Sequence, residues 1–99
     1  MKGDGLLQES LIERKLVTEV KKRGGLAVKF VSPGLDGVPD RLVLFPGGKL
    51  AFVELKAPGK TMRPLQEKRA RQLTELGFQV YCIDNKDKIG GVIYEIQTA

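Results

Sequence analysis

The sequence predicts an α/β fold: a helix, three short strands, a second helix and a final strand, with a mixed central sheet flanked by helices. Three observations carry this. Apolar residues recur at helical spacing through residues 6–23. Two apolar runs, Arg41–Phe45 and Lys49–Leu55, flank a Pro46-Gly47-Gly48 turn, which is a β-hairpin signal. A charge-rich helical pattern over Thr61–Leu76 then leads into the apolar run Phe78–Ile83. A strand, helix, strand order requires a crossover, so Phe78–Ile83 is expected to lie parallel to Lys49–Leu55.

The composition suits a globular chain: 41% of its 99 residues are hydrophobic and 29% charged. That length gives one domain over residues 1–99, whose modest core would gain from homo-oligomerisation. No apolar run approaches the roughly 18 residues of a membrane span, and the N-terminus lacks a signal-peptide core. The single cysteine, Cys82, excludes an internal disulfide and a cysteine-based zinc site, and a reducing, cytosolic setting fits. Between Val80, Tyr81 and Ile83 it reads as a core residue. The chain has no histidine. That removes serine–histidine triads, histidine–metal nucleases and imidazole bases. Any hydrolysis must run on carboxylates, lysine and metal-activated water. A net charge of +5 favours a polyanionic partner, although solubility alone also accounts for it.

In the first helix, Leu6, Ile12, Leu16, Val17 and Val20 form one apolar stripe. Lys21, Lys22 and Arg23 suit its C-terminal end, and Gly24-Gly25 stop it. Glu13 falls near the middle of the stripe, with Glu9 one turn earlier. A carboxylate facing a core must be paired or hold a cation, so Glu13 is a candidate metal ligand. The alternative is an ion pair at the stripe edge with a nearby Lys or Arg. Leu7 and Leu11 lie off the stripe and are candidates for a dimer contact. Leu26–Ser32 reads as the first strand and Ser32–Pro39 as a loop. Thr61 is placed to cap the second helix, with Pro64 in its first turn. Met62, Leu65, Leu73 and Leu76 form its sheet-facing stripe. Gln66 lies at the stripe edge and Arg69 on the inner side. Lys60, Arg63, Lys68 and Arg71 are spread over exposed faces. Residues 84–91 read as a loop, and Val92–Ile96 as either a short strand or a short helix.

The hairpin organises the chemistry. The start of its first strand lies beside the end of its second, so Asp40 approaches Glu54 and Lys56. Two carboxylates and an ammonium therefore meet at one edge of the sheet. A bare surface ion pair, at about 0–1 kcal/mol, is a weak reason to set three ionisable groups beside an apolar strand.

Pro39-Asp40, the hairpin, Glu54-Leu55-Lys56 and the downstream Gln66, in that order, resemble the PD-(D/E)xK nuclease superfamily. The wording GVPDRLVLFPGGKLAFVELKAPGKTMRPLQ is most similar to the VRR-NUC (virus-type replication-repair nuclease) family. The resemblance covers roughly Glu9 to Asp84. It implies a restriction-endonuclease-like αβββαβ core. It also implies a metal-dependent DNA endonuclease of replication, recombination or repair, cutting branched DNA such as Holliday junctions or flaps. Asp40, Glu54 and the Leu55 backbone carbonyl would hold Mg²⁺ or Mn²⁺, which prefer all-oxygen ligation. Ile12-Glu13-Arg14 matches the first-helix Glu of related junction resolvases, with Glu9 in reserve. Gln66 would belong to the active-site motif. Lys56 would position water and stabilise the charge developing on the phosphorane. Lys60, Arg63, Lys68, Arg69 and Arg71 are candidate DNA contacts. Paired cuts at a junction imply a homodimer, and the resemblance points to the cytoplasm of a bacterial or phage-infected cell. The alternatives are a non-catalytic DNA-binding module with the same fold and a restriction-type nuclease on linear duplex.

Overall fold

The computed structural model describes residues 2–99, with side chains from Gly5 onwards. The elements are α1 (Lys2–Lys22), β1 (Leu26–Lys29), β2 (Arg41–Phe45), β3 (Lys49–Leu55), α2 (Pro64–Glu75), β4 (Gln79–Ile83), a single 3₁₀ turn at Lys86–Lys88, and α3 (Ile89–Thr98). The four strands run in the order β1-β2-β3-β4. β1–β2 and β2–β3 are antiparallel and β3–β4 is parallel, so the sheet is mixed as expected.

Alternation along the strands divides the sheet into two faces. Val43, Phe45, Ala51, Val53, Leu55 and Ile83 point to one face and pack against Ile12, Leu16 and Val20 of α1 and Ile89, Ile93 and Ile96 of α3. The opposite face carries Phe52, which meets the rings of Phe30 and Phe78 at 5.6 and 5.7 Å. It also carries Val80 and Cys82, which line hollows shared with α2. Side chains on α2 are half-buried or exposed, and none is fully buried.

Several expectations are corrected. α1 starts at Lys2 rather than at residue 6, and Leu6 is 74% exposed instead of joining the inward stripe. Ile12, Leu16 and Val20 hold the stripe, while Leu7 and Leu11 are exposed as expected. β1 ends at Lys29, before Ser32. α2 begins at Pro64, so Thr61 is not its cap; Arg63 is the N-cap residue, and its N–H is satisfied by Gln66 Oε1 at 2.9 Å. Leu76 is exposed beyond the end of α2. Cys82 is half-buried rather than enclosed. Val92–Ile96 belongs to a helix. Ile89, Val92, Ile93 and Ile96 recur at i, i+3, i+4 and i+7 and are all buried.

Candidate active site

The hairpin register sets the site. Arg41 pairs with Val53, so Asp40, one residue earlier, stands across from Glu54. Directly opposed residues share a face, which brings the two carboxylates together. Asp40 Oδ2 accepts the Leu55 N–H at 2.9 Å. That bond ties the loop before β2 to the end of β3. Asp40 is otherwise exposed, so its second oxygen can serve a ligand.

Glu54 is 2% exposed, and its Oε1 is buried without a hydrogen-bond partner. Its Oε2 lies 3.5 Å from Lys56 Nζ. Burial pushes the Glu54 carboxyl from its ordinary 4.5 up to about 7; Asp40 adds to the rise and Lys56 opposes it. An orphaned carboxylate oxygen facing a like charge is costly in a bare fold. A hard divalent cation relieves both the missing partner and the repulsion. The residues present therefore fit such an ion.

The backbone supplies a further oxygen. Lys56 N–H donates to Ile83 O at 3.0 Å, toward β4. Across the trans peptide the Leu55 carbonyl points the opposite way, toward β2 and Asp40. Both polar groups of Leu55 thus face the acidic pair.

The first-helix carboxylates are sorted by the sheet. Arg41 follows Asp40, so it points to the opposite face. There its Nε donates to Glu13 Oε2 at 2.9 Å and its Nη1 to Ala27 O at 3.0 Å. Glu13 is an ion-pair partner of Arg41, the alternative weighed from the sequence, and its carboxylate is engaged away from Asp40 and Glu54. Glu9 instead lines a cleft of about 390 Å³ together with Lys56, Lys60, Thr61 and Arg63. Among the described residues no three acidic or cysteine side chains form one metal-holding cluster. The acidic pair and the Leu55 carbonyl are the donors on hand, and Glu9 lines the cleft that Lys56 shares.

Gln66 stands at the entrance of α2 with its carbonyl oxygen committed to Arg63 N–H. Arg69 is also committed: its Nε donates to Asp36 O at 2.6 Å and its Nη1 to Gln72 Oε1 at 2.9 Å. It fastens the loop before Asp40 to α2. Lys60, Arg63, Lys68 and Arg71 are exposed. Sequence reasoning missed Arg41. Its signal was the strand alternation that sends the residue after Asp40 to the helix-covered face. Cys82, read from the sequence as a core residue, pairs in register with Glu54; burial, then Glu54, raises its thiol.

No family model matches the sequence. The chain is 54% identical over 82 residues to "Putative nuclease p44" of Acyrthosiphon pisum secondary endosymbiont phage 1, covering 83% of this chain and 88% of that protein. A solved structure described as a VRR_NUC domain matches with a TM-score of 0.82 at 25% identity, covering 88% of this chain and 95% of that one. This chain belongs to the VRR-NUC family. The nuclease name of its phage relative and the VRR-NUC fold support a nuclease, and a nuclease fold of this kind in general implies a divalent metal cofactor. Among the described residues no helix of this VRR-NUC chain is long and apolar enough to cross a membrane.

Proposed function

We propose that the protein is a Mg²⁺- or Mn²⁺-dependent, structure-directed DNA endonuclease that hydrolyses phosphodiesters at branched DNA, as junctions or flaps. The orphaned Glu54 Oε1 opposite Asp40 is the observation that carries this reading. Asp40, Glu54 and the Leu55 carbonyl would hold the cation, with Glu9 rather than Glu13 contributing from α1. The cation supplies Lewis acidity, lowers the pKa of water and offsets the phosphate charge.

The side chains do the rest. Lys56 is held beside Glu54 with its side chain 14% exposed. It orients the attacking water and stabilises negative charge on the phosphorane oxygens. Gln66 holds the N-terminus of α2 against the cleft, which positions Arg63 and Lys60 for the DNA backbone. Symmetric cuts at a junction need two sites, hence two copies of this chain related by a two-fold axis. The setting is the cytoplasm of a bacterial or phage-infected cell.

The test is cleavage of labelled four-way junction, flap, linear duplex and single strand with Mg²⁺, Mn²⁺ or EDTA, for the wild type and Glu54→Gln. Cation-dependent cuts near the branch that vanish in Glu54→Gln are expected. Equal cutting of every substrate would remove the structure-directed claim. Tight binding without any cutting would leave a DNA-binding module.

A further inference from the structure

A second groove, of about 290 Å³, lies on the other side of the Ala57–Pro58 turn from the active-site cleft. Ala57 lines the cleft and Pro58 the groove. Gln8, Leu11, Ile12 and Lys15 fall at helical spacing, so one face of α1 forms its wall. Ile12 is buried and makes the apolar floor with Pro58. Leu11 stays 50% exposed above it, and the opposite rim is Asn85 and Lys86. Asn85 Oδ1 accepts the Asp87 N–H at 2.8 Å, so the amide is oriented and offers its NH₂ outward as a donor. Among the described residues the lining thus combines an apolar floor, two ammonium groups and two amides, with no carboxylate.

We propose that this groove binds an unpaired nucleotide of the branched substrate, next to the strand held in the active-site cleft. The inference rests on the nuclease reading above. A flat apolar base against Leu11, Ile12 and Pro58 removes exposed hydrocarbon from water. Lys15 and Lys86 match the flanking phosphates in charge. A paired base stays in its stack and cannot enter such a groove, whereas an unpaired one lies against apolar side chains at little cost. Placed one turn of chain from Lys56, the groove selects DNA with a branch beside the cleavage point.

The experiment places 2-aminopurine at the first unpaired position of a flap and follows its emission on binding in EDTA. Flap and linear-duplex affinities are measured in parallel for wild type, Lys15→Ala/Lys86→Ala and Leu11→Ser. An emission change with the wild type, lost in Leu11→Ser, is expected. The double variant should lose about tenfold in flap affinity and less than about twofold on linear duplex. Equal losses on both DNAs, or no emission change, would overturn the proposal. So would a Leu11→Ser protein that sediments as half the wild-type mass with its flap emission intact, because the groove would then seat a second copy. Metal-dependent cleavage by the wild type is read separately: if it is absent while the emission change persists, the nuclease reading fails and the groove stands.

Discussion

At the scale of single residues, Glu54 couples stability to chemistry. Its folded carboxyl is raised from 4.5 to about 7, chiefly by burial and then by Asp40. Between those values the folded chain holds a proton that the unfolded chain has lost, so folding stability falls as pH rises. The contribution is complete below about pH 4.5 and is lost as pH climbs through about 7. Its full size is at most on the order of 3 kcal/mol at about 1.4 kcal/mol per unit. In EDTA the melting temperature of the wild type should therefore drop between pH 5 and 8, and Glu54→Gln should flatten that drop. Added Mn²⁺ should stabilise the wild type more at pH 8 than at pH 5, because cation and proton compete for one carboxylate, and should do nothing for Glu54→Gln. A flat wild-type melting profile in EDTA would show that burial does not hold the proton. Glu9 and Glu13 separate by the same logic. Glu13 holds Arg41, whose side chain is only 14% exposed. Removing the carboxylate leaves a part-buried guanidinium, so Glu13→Ala should cost about 1–3 kcal/mol in urea unfolding. Glu9→Gln should leave unfolding unchanged and lower cleavage by about a hundredfold. The reverse pattern would return the ligand role to Glu13.

At the scale of elements, the loop between β1 and β2 aims Asp40. Gly37 has φ of +83° there, and a Cβ on it would sit 2.8 Å from the Leu65 side chain. Arg69 clamps the neighbouring Asp36 carbonyl onto α2. Gly37→Ala combines a left-handed backbone with a clash, and should destabilise by about 1–3 kcal/mol. Cleavage should fall further than the folded fraction does, since Val38 and Pro39 carry the strain to Asp40. Activity tracking the folded fraction would show that the loop is only structural. The hairpin and the buried core of the α1 stripe were legible because turn chemistry and periodicity are local. Leu6 was misplaced because helical spacing marks a face but not how far the sheet extends beneath it. α3 was unreadable for another reason. Gly90 and Gly91 weaken its local helix preference, and burial of Ile89, Val92, Ile93 and Ile96 against α1 and β3 overrides it. The Glu13–Arg41 pair was not legible because Arg41 is 28 residues away and meets Glu13 only across the sheet.

At the scale of the whole molecule, the sheet separates support from chemistry. The face under α1 and α3 is apolar and carries the Glu13–Arg41 pair, while the opposite face carries Asp40, Glu54 and Lys56 beside the entrance to α2. Net charge of +5 is a property of the chain, but only cations not used by the fold can neutralise DNA phosphates. That distinction predicts different outcomes along one helix. Lys68 and Arg71 are exposed on α2, whereas Arg69 is spent on Asp36 and Gln72. Fluorescence anisotropy in EDTA across roughly 50–200 mM salt reads the number of phosphates neutralised. Lys68→Ala and Arg71→Ala should each reduce the slope of log affinity against log salt by about 1, equally for flap and linear duplex. Arg69→Ala should leave the slope unchanged and lower the melting temperature, because it frees the loop that leads to Asp40. A lower slope in Arg69→Ala at unchanged melting temperature would instead place that guanidinium on the DNA, and the clamp on Asp36 would be a resting contact that the substrate displaces.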